Sequence, residues 1–246
     1  MVAIDVVILT WNDGELLERA VRSVLESKGA DSSVIVVDNG STPPATVVDG
    51  VQLIRNDLNR GVAPARNQGV RVGEAPYVCL LDSDAELTPP ALAMMIETLD
   101  RDADIALVAP VFVGQLPSAG AGPKYTFFDK VQRALNLRDT YPEGRGFVDG
   151  VRDVDFAIGA CQVFRRSAFD QVAGLDETYF YGPEDVDFCL RLRERGWRIV
   201  QLEAALVHHP PRRRNRRLFT RRGMRHARAV CRHLWRHRRF KSGVAT

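Results

Sequence analysis

Two aspartates one residue apart, Asp82 and Asp84 of Leu81-Asp82-Ser83-Asp84, close an apolar run at residues 77–81. Carboxylates placed where a buried strand leaves a sheet can hold a hard divalent cation at the rim of a ligand crevice. One of them can take the metal while its neighbour accepts from a ribose hydroxyl. A solvated acidic turn is the plainer alternative. A second acidic group, Glu184-Asp185, follows about a hundred residues later at the start of another helix. There the positive end of the helix dipole keeps a carboxylate ionised, fit to act as a general base. Acids that merely stabilise a helix start are the alternative. One acidic pair for a metal and one for proton transfer suit the removal of a group from a diphosphate.

Further polar residues sit where other strands should end. Thr10-Trp11-Asn12 and Asp38-Asn39-Gly40-Ser41 follow β-branched runs, on the edge where open α/β sheets bind ligands. Asp38 can accept from the N3–H of a pyrimidine, or cap the turn that Asn-Gly announces. In Asn59-Arg60-Gly61-Val62-Ala63-Pro64-Ala65-Arg66-Asn67, the small residues allow close packing and Arg66 can reach a phosphate or orient the acidic site. His208-His209 follows a final apolar stretch and can add an imidazole to a metal or diphosphate site.

The hydrophobic pattern predicts strands at 2–10, 34–37, 51–55, 77–81, 105–113 and 154–165, with short ones at 197–202 and 205–208. Helices are expected at 15–27, 61–72, 90–100, 167–172 and 185–195. This alternation implies an α/β fold with a mostly parallel, doubly wound central sheet. Residues 114–150, rich in Gly and Pro, interrupt it with a long connection of the kind that carries function.

At 246 residues the chain can build one large α/β domain. It has no apolar run of the length that crosses a bilayer, and its N-terminus enters a strand without a basic leader. Cys79, Cys161, Cys189 and Cys231 lack the spacing of a zinc site and read as buried thiols in a reducing compartment. A cytoplasmic location is therefore expected. The net charge of +3 hides an asymmetry: all 31 acids lie in residues 1–203, whereas residues 204–246 carry 14 Lys+Arg and none. A basic helix from 214 to about 239 is predicted there, with Met224, Ala227, Cys231, Leu234 and Trp235 on one stripe. It can be a surface or oligomer-forming helix, a nucleic-acid arm, or a contact with anionic lipid headgroups.

Taken in order, these segments resemble the family 2 glycosyltransferases of the GT-A fold, over roughly residues 3–210. The resemblance also draws on Ile158-Gly159-Ala160, Gly174-Leu175-Asp176-Glu177 and Gly182-Pro183-Glu184-Asp185-Val186-Asp187. It leans toward the rhamnosyltransferase-like branch of bacterial envelope assembly. It implies a GT-A domain at 1–211, with a nucleotide-sugar half at 1–113 and an acceptor-side half at 114–211, followed by a basic amphipathic tail at 212–246. By the same resemblance, Thr10, Asn12, Asp38, Arg66, Asp82 and Ser83 bind the nucleotide sugar. Gly159 and Ala160 wall the acceptor side, and Asp185 is the catalytic base with Glu184 orienting acceptor or sugar. Asp84 and His208 hold Mg²⁺ or Mn²⁺, with His209 as the alternative because the doublet blurs the alignment.

The reaction so implied is a single inverting transfer from a dTDP- or UDP-linked sugar to a glycan or polyprenyl-linked acceptor. The Gln-x-x-Arg-Trp motif of processive synthases is missing, which favours one transfer. The resemblance also favours membrane contact by 212–246, on the inner face of the plasma membrane, over nucleic acid. A sugar nucleotidyltransferase is the rival enzyme, but Thr10-Trp11-Asn12-Asp13-Gly14 is neither Gly-rich nor basic enough to cradle a triphosphate. A non-catalytic nucleotide-sugar-binding protein is the remaining alternative.

Overall fold

The computed structural model describes residues 3–125, 144–210 and 221–238. In chain order the elements are β1 (Ala3–Thr10), α1 (Gly14–Leu25), β2 (Asp31–Asp38), β3 (Gln52–Arg55), α2 (Val62–Val72) and β4 (Tyr77–Asp82). Then come β5 (Glu86–Leu87), α3 (Ala91–Arg101), β6 (Ile105–Phe112), β7 (Ala121–Gly122), β8 (Val151–Asp153), β9 (Phe156–Ala157) and β10 (Cys161–Arg165). The last are α4 (Arg166–Gln171), α5 (Glu184–Glu194), β11 (Arg198–His208) and α6 (Arg221–Arg236).

Nine strands form one sheet in the order β3-β2-β1-β4-β10-β6-β11-β5, with β8 also paired to β11. The β3, β2, β1 and β4 strands are parallel, as are β6 and β11. Between these groups β10 runs antiparallel to both neighbours. Strands from before and after residue 113 thus share one sheet.

Strand alternation divides the core. Ile4, Val6 and Ile8 of β1, with Tyr77, Cys79 and Leu81 of β4, pack under α1 and α3 through Leu17, Val21, Leu92 and Met95. Val7, Val78 and Leu80 face the other way, into the layer of α2 and α5. Residue 82 follows the same period as 78 and 80, so Asp82 leaves the sheet on the α2 side. α2 can lie close to the sheet because residue 69 is glycine: a Cβ there would stand 2.4 Å from Val7 Cγ1.

The register sets the ligand edge. Thr10 of β1 pairs with Asp38 of β2, and Leu9 pairs with Asp82 of β4, so three of the predicted residues end level. On the far side β11 delivers its C-terminus to β5, with His208 opposite Glu86.

Several elements differ from the sequence pattern. The expected strand at 154–165 is two pieces, because residues 158–160 leave the ladder beside Asp82. The two expected final strands are one, β11, whose register with β6 shifts between Gln201 and Leu206. Part of the long connection at 114–150 forms β7, and residues 126–143 lie outside the described residues. Cys79, Cys161 and Cys189 are buried as expected, but Cys231 is exposed.

Most of the predicted tail helix is described as α6, and of the apolar stripe's described side chains only Leu234 packs on the body. His233 and His237 are buried, Leu234 is half-buried, and Cys231 and Trp235 face outward. Met224 and Ala227 lie outside the described side chains. Among the described residues no helix is long and apolar enough to cross a membrane.

Candidate active site

Arg66 is the hub of the site. It lies in α2 and is 3 % exposed, facing the edge where Asp82 leaves β4. Its Nη2 donates to Asp82 Oδ1 at 2.5 Å and to the Gly159 carbonyl at 2.6 Å, and its Nη1 lies 3.6 Å from Glu184 Oε1. Burial works against the guanidinium charge, but Asp82, Glu184 and Asp185 outweigh it and hold Arg66 protonated beyond its ordinary range. The adjacent Asn67 points elsewhere on the helix and clasps the backbone of Leu175 through two hydrogen bonds of 2.8 and 2.9 Å. That contact explains the Arg-Asn pair: one residue orders the acids, the other fixes the 174–177 loop.

The second acidic group meets the first through residue 159. Asp185 Oδ2 accepts from the Gly159 amide at 2.8 Å, so the two backbone groups of one residue meet Asp185 and Arg66. Next to it, Ala160 packs into the core and its carbonyl accepts from the Asp82 amide at 3.0 Å. The Gly159-Ala160 segment is therefore a bridge between the two acidic motifs, and the Ala160 side chain is turned away from the surface.

Glu184 is buried beside Asp185, and its Oε2 has no hydrogen-bond partner among the described residues. Burial first, then the Asp185 charge, push its carboxyl up to about 7 against the pull of Arg66. Between its ordinary value of 4.5 and about 7, the folded chain holds a proton that the unfolded chain has lost. Stability therefore falls as pH rises through that window. Glu184→Gln removes the titration and should raise the melting temperature at pH 8, by an effect of at most on the order of 3 kcal/mol. Thermal melts of both proteins from pH 5 to 8 check this; a variant less stable than wild type at pH 8 contradicts it.

Asp82, Asp84 and His209 form a second cluster, with one ligand atom from each all within 4.8 Å of one another. His209 Nε2 is 3.5 Å from Asp84 Oδ1, and its ring packs on Phe112 at 5.1 Å between centroids. Burial raises the Asp82 carboxyl, aided by Asp84 and opposed by Arg66 and His209. Two carboxylates and an imidazole suit Mn²⁺ or Mg²⁺ completed by phosphate oxygens. The structure brings His209, not His208, to this cluster. His208 is the last residue of β11 and lines an outer groove with Arg19 and Glu86, while His209 is the first residue past the strand.

On the nucleotide side, Thr10 is buried with its hydroxyl unpartnered among the described residues. Asn12 ties the first two loops together, its amide donating to Ser41 Oγ at 2.9 Å and its Oδ1 accepting from Thr42 at 2.7 Å. The Asp38 carboxylate is fully buried and occupied, accepting from the amides of Ser41 and Ala45 at 2.9 Å and from Arg55. Burial opposes its charge, yet these donors together lower its pKa. It builds the turn, and Arg55, a residue the sequence pattern gave no reason to single out, covers its outer oxygen. The Ser83 hydroxyl likewise turns inward and donates to Asp13 at 2.7 Å.

A family model, Glycosyl transferase family 2, matches residues 5–173. The chain belongs to this family. It is a glycosyltransferase with the GT-A fold. Among its relatives is the N-acetylglucosaminyl-diphospho-decaprenol L-rhamnosyltransferase of Mycobacterium tuberculosis, 28 % identical over 84 % of this chain and 75 % of that one. The pre-mycofactocin glycosyltransferase of the same organism is 32 % identical over 84 % of this chain, which spans 42 % of that relative's length. The GalNAc-T7 crystal structure with UDP, GalNAc and Mn²⁺ superposes with a TM-score of 0.69 at 17 % identity, over 96 % of this chain and 48 % of that one. A mannosyltransferase from Pyrobaculum calidifontis, in complex with GDP-Man and Mn²⁺, gives 0.67 at 17 % identity, over 97 % and 65 %. At such identity the structures speak for the shared fold.

Proposed function

We propose that this glycosyltransferase moves a single sugar, rhamnose, from a dTDP- or UDP-linked donor to a hydroxyl of a polyprenyl-linked envelope glycan, with inversion and a divalent cation. The observation that carries the reading is the convergence of Asp82, Glu184 and Asp185 on one buried arginine, with Asp84 and His209 on the donor side of Asp82. The rhamnosyltransferase relative, whose name specifies a decaprenol-linked substrate, supports the choice of sugar and acceptor.

Asp185 takes the proton of the acceptor hydroxyl as that oxygen bonds to the anomeric carbon. The bond from that carbon to the diphosphate oxygen breaks on the opposite face, which inverts the centre. Asp84 and His209, with Asp82 beside them, would hold the cation, which supplies Lewis-acid stabilisation of the departing diphosphate. Arg66 keeps Asp82 oriented toward the ribose or sugar. Thr10 and Asn12 line the base pocket, and Asp38 meets the pyrimidine once Arg55 swings off its outer oxygen. Ser83 shapes the donor loop through Asp13, Gly159 joins donor and acceptor sides, and Glu184 holds Arg66 in register. The domain then runs from 1 to 211, and the outward Trp235 with neighbouring arginines suits an anionic surface beside the lipid acceptor.

One assay tests the whole reading: transfer from dTDP- and UDP-sugars to a polyprenyl-diphosphate acceptor in anionic vesicles, with calorimetry of donor binding with and without Mn²⁺. Donor affinity should rise with Mn²⁺ in wild type and in His208→Ala. It should lose that dependence in Asp84→Ala and His209→Ala. Metal-independent binding in wild type, or loss in His208→Ala alone, overturns the assignment.

A further inference from the structure

Neither Asp187 nor the two buried histidines at the C-terminal end of α6 has a part in the transfer chemistry, yet they meet. Asp187 lies in the first turn of α5, two residues after Asp185, and is fully buried. His233, in the last turn of α6, and His237, the residue that follows the helix, are each 1 % exposed. The helical hydrogen bond from the His237 amide to the His233 carbonyl, 3.0 Å, keeps both imidazoles on one side. Their ring centroids are 5.0 Å apart, and one ligand atom from each of the three residues lies within 4.8 Å of the others.

We propose that Asp187, His233 and His237 form a zinc site that fastens the C-terminal helix to the start of the helix carrying Asp185. Two imidazoles and one carboxylate are a zinc donor set; Mg²⁺ and Ca²⁺ take oxygen. The surroundings orient the ligands. His237 Nδ1 is 2.9 Å from Glu194 Oε1, the carboxylate-imidazole pairing that fixes the tautomer and leaves Nε2 for a metal. Nε2 faces Asp187 Oδ1 at 2.9 Å. The other carboxylate oxygen, Oδ2, accepts from Arg191 Nε at 2.7 Å, so the group is held with Oδ1 toward the histidines. Tyr179 Oη is 3.4 Å from the same oxygen.

Two adjustments admit the ion. The gap between Nε2 and Oδ1 opens to ~3.3 Å, the separation of two ligands at zinc bond lengths in a tetrahedron. Arg236 Nη1, 3.5 Å from Asp187 Oδ1, moves off toward Asp176, which it already contacts at 2.6 Å from a partly exposed position. Water completes the coordination. Zinc here joins the tail to the first turn of α5, so the basic helix is held behind the proposed base.

The test uses the full chain after removal of metals by a chelator, with Zn²⁺ and Co²⁺ as probes. Wild type should bind about one equivalent of Zn²⁺ that Mg²⁺ does not displace, and Co²⁺ should give the intense visible bands of tetrahedral nitrogen coordination. Asp84→Ala should retain both signals, which separates this site from the donor-side cluster. His233→Ala and His237→Gln should weaken Zn²⁺ by about 100-fold or more, with circular dichroism confirming that each is folded. Absence of the tetrahedral Co²⁺ bands in wild type overturns the proposal without reference to any variant. So does unchanged Zn²⁺ affinity in either folded histidine variant, or loss of the bands in Asp84→Ala.

Discussion

Replacing Asp185 with Asn should stop sugar transfer while donor binding survives. The side chain keeps its shape, but an amide cannot accept the proton of an attacking hydroxyl, and general-base catalysis contributes roughly 10²–10⁴ in rate. Asp185 is well placed to lose only that function. Its two oxygens accept from the amides of Gly159 and Val186, both at 2.8 Å, and one of these bonds remains available to the Asn carbonyl. Arg66 keeps Asp82 and Glu184 as partners, so the donor side stays organised. The expected result is a fall of about 10³ in kcat, with the dissociation constant for the nucleotide sugar changed by no more than about threefold. Single-turnover kinetics and calorimetry separate the two. A variant turning over within about tenfold of wild type would move the base role to Glu184, the neighbouring carboxyl held near neutrality.

The donor edge was legible because strand periodicity is a strong signal. Alternation in β1 and β4 predicts that Asp82 shares a face with Val78 and Leu80, and α2 covers that face. It predicts nothing for a residue beyond a strand's end. His208 is the last residue of β11 and His209 the first outside it, so the pattern could not say which imidazole turns toward Asp84. The tail shows a different limit. Of the predicted apolar stripe, Cys231 and Trp235 face outward and Leu234 is half-buried against the core, while the fully buried positions are imidazoles, with His237 meeting Asp187 and Glu194. Hydrophobicity cannot register a polar residue whose partners lie 43 and 50 residues away. Asp38 illustrates the third case. Asp before Asn-Gly signals both a turn cap and a base acceptor, and only the fold reveals that Ser41, Ala45 and Arg55 already occupy both oxygens.

Gly159 was expected on the acceptor wall, but it joins the two acidic motifs, and its substitution is the sharpest test of that link. A Cβ at position 159 would stand 2.2 Å from Arg66 Nη1 and 3.0 Å from its Cζ. The guanidinium cannot yield easily, since it is buried and already fixed by Asp82 and by the Gly159 carbonyl. Either Arg66 leaves its carboxylates or the 158–160 segment retreats and takes the Gly159 amide away from Asp185. Both outcomes misplace a catalytic group, and a displacement of about 1 Å can cost 10²-fold in rate. Gly159→Ala should therefore lower kcat/KM by about 10²-fold, with an overpacking cost in stability of ~1–3 kcal/mol. Gly146→Ala is the control, because a Cβ there meets nothing within 4 Å. Combining Gly159→Ala with Arg66→Lys trims the atom that is struck, so the double variant should lose less stability than the two single losses added together. Additive losses, or a Gly159→Ala enzyme with wild-type kcat/KM, would mean that residue 159 does not couple Arg66 to Asp185.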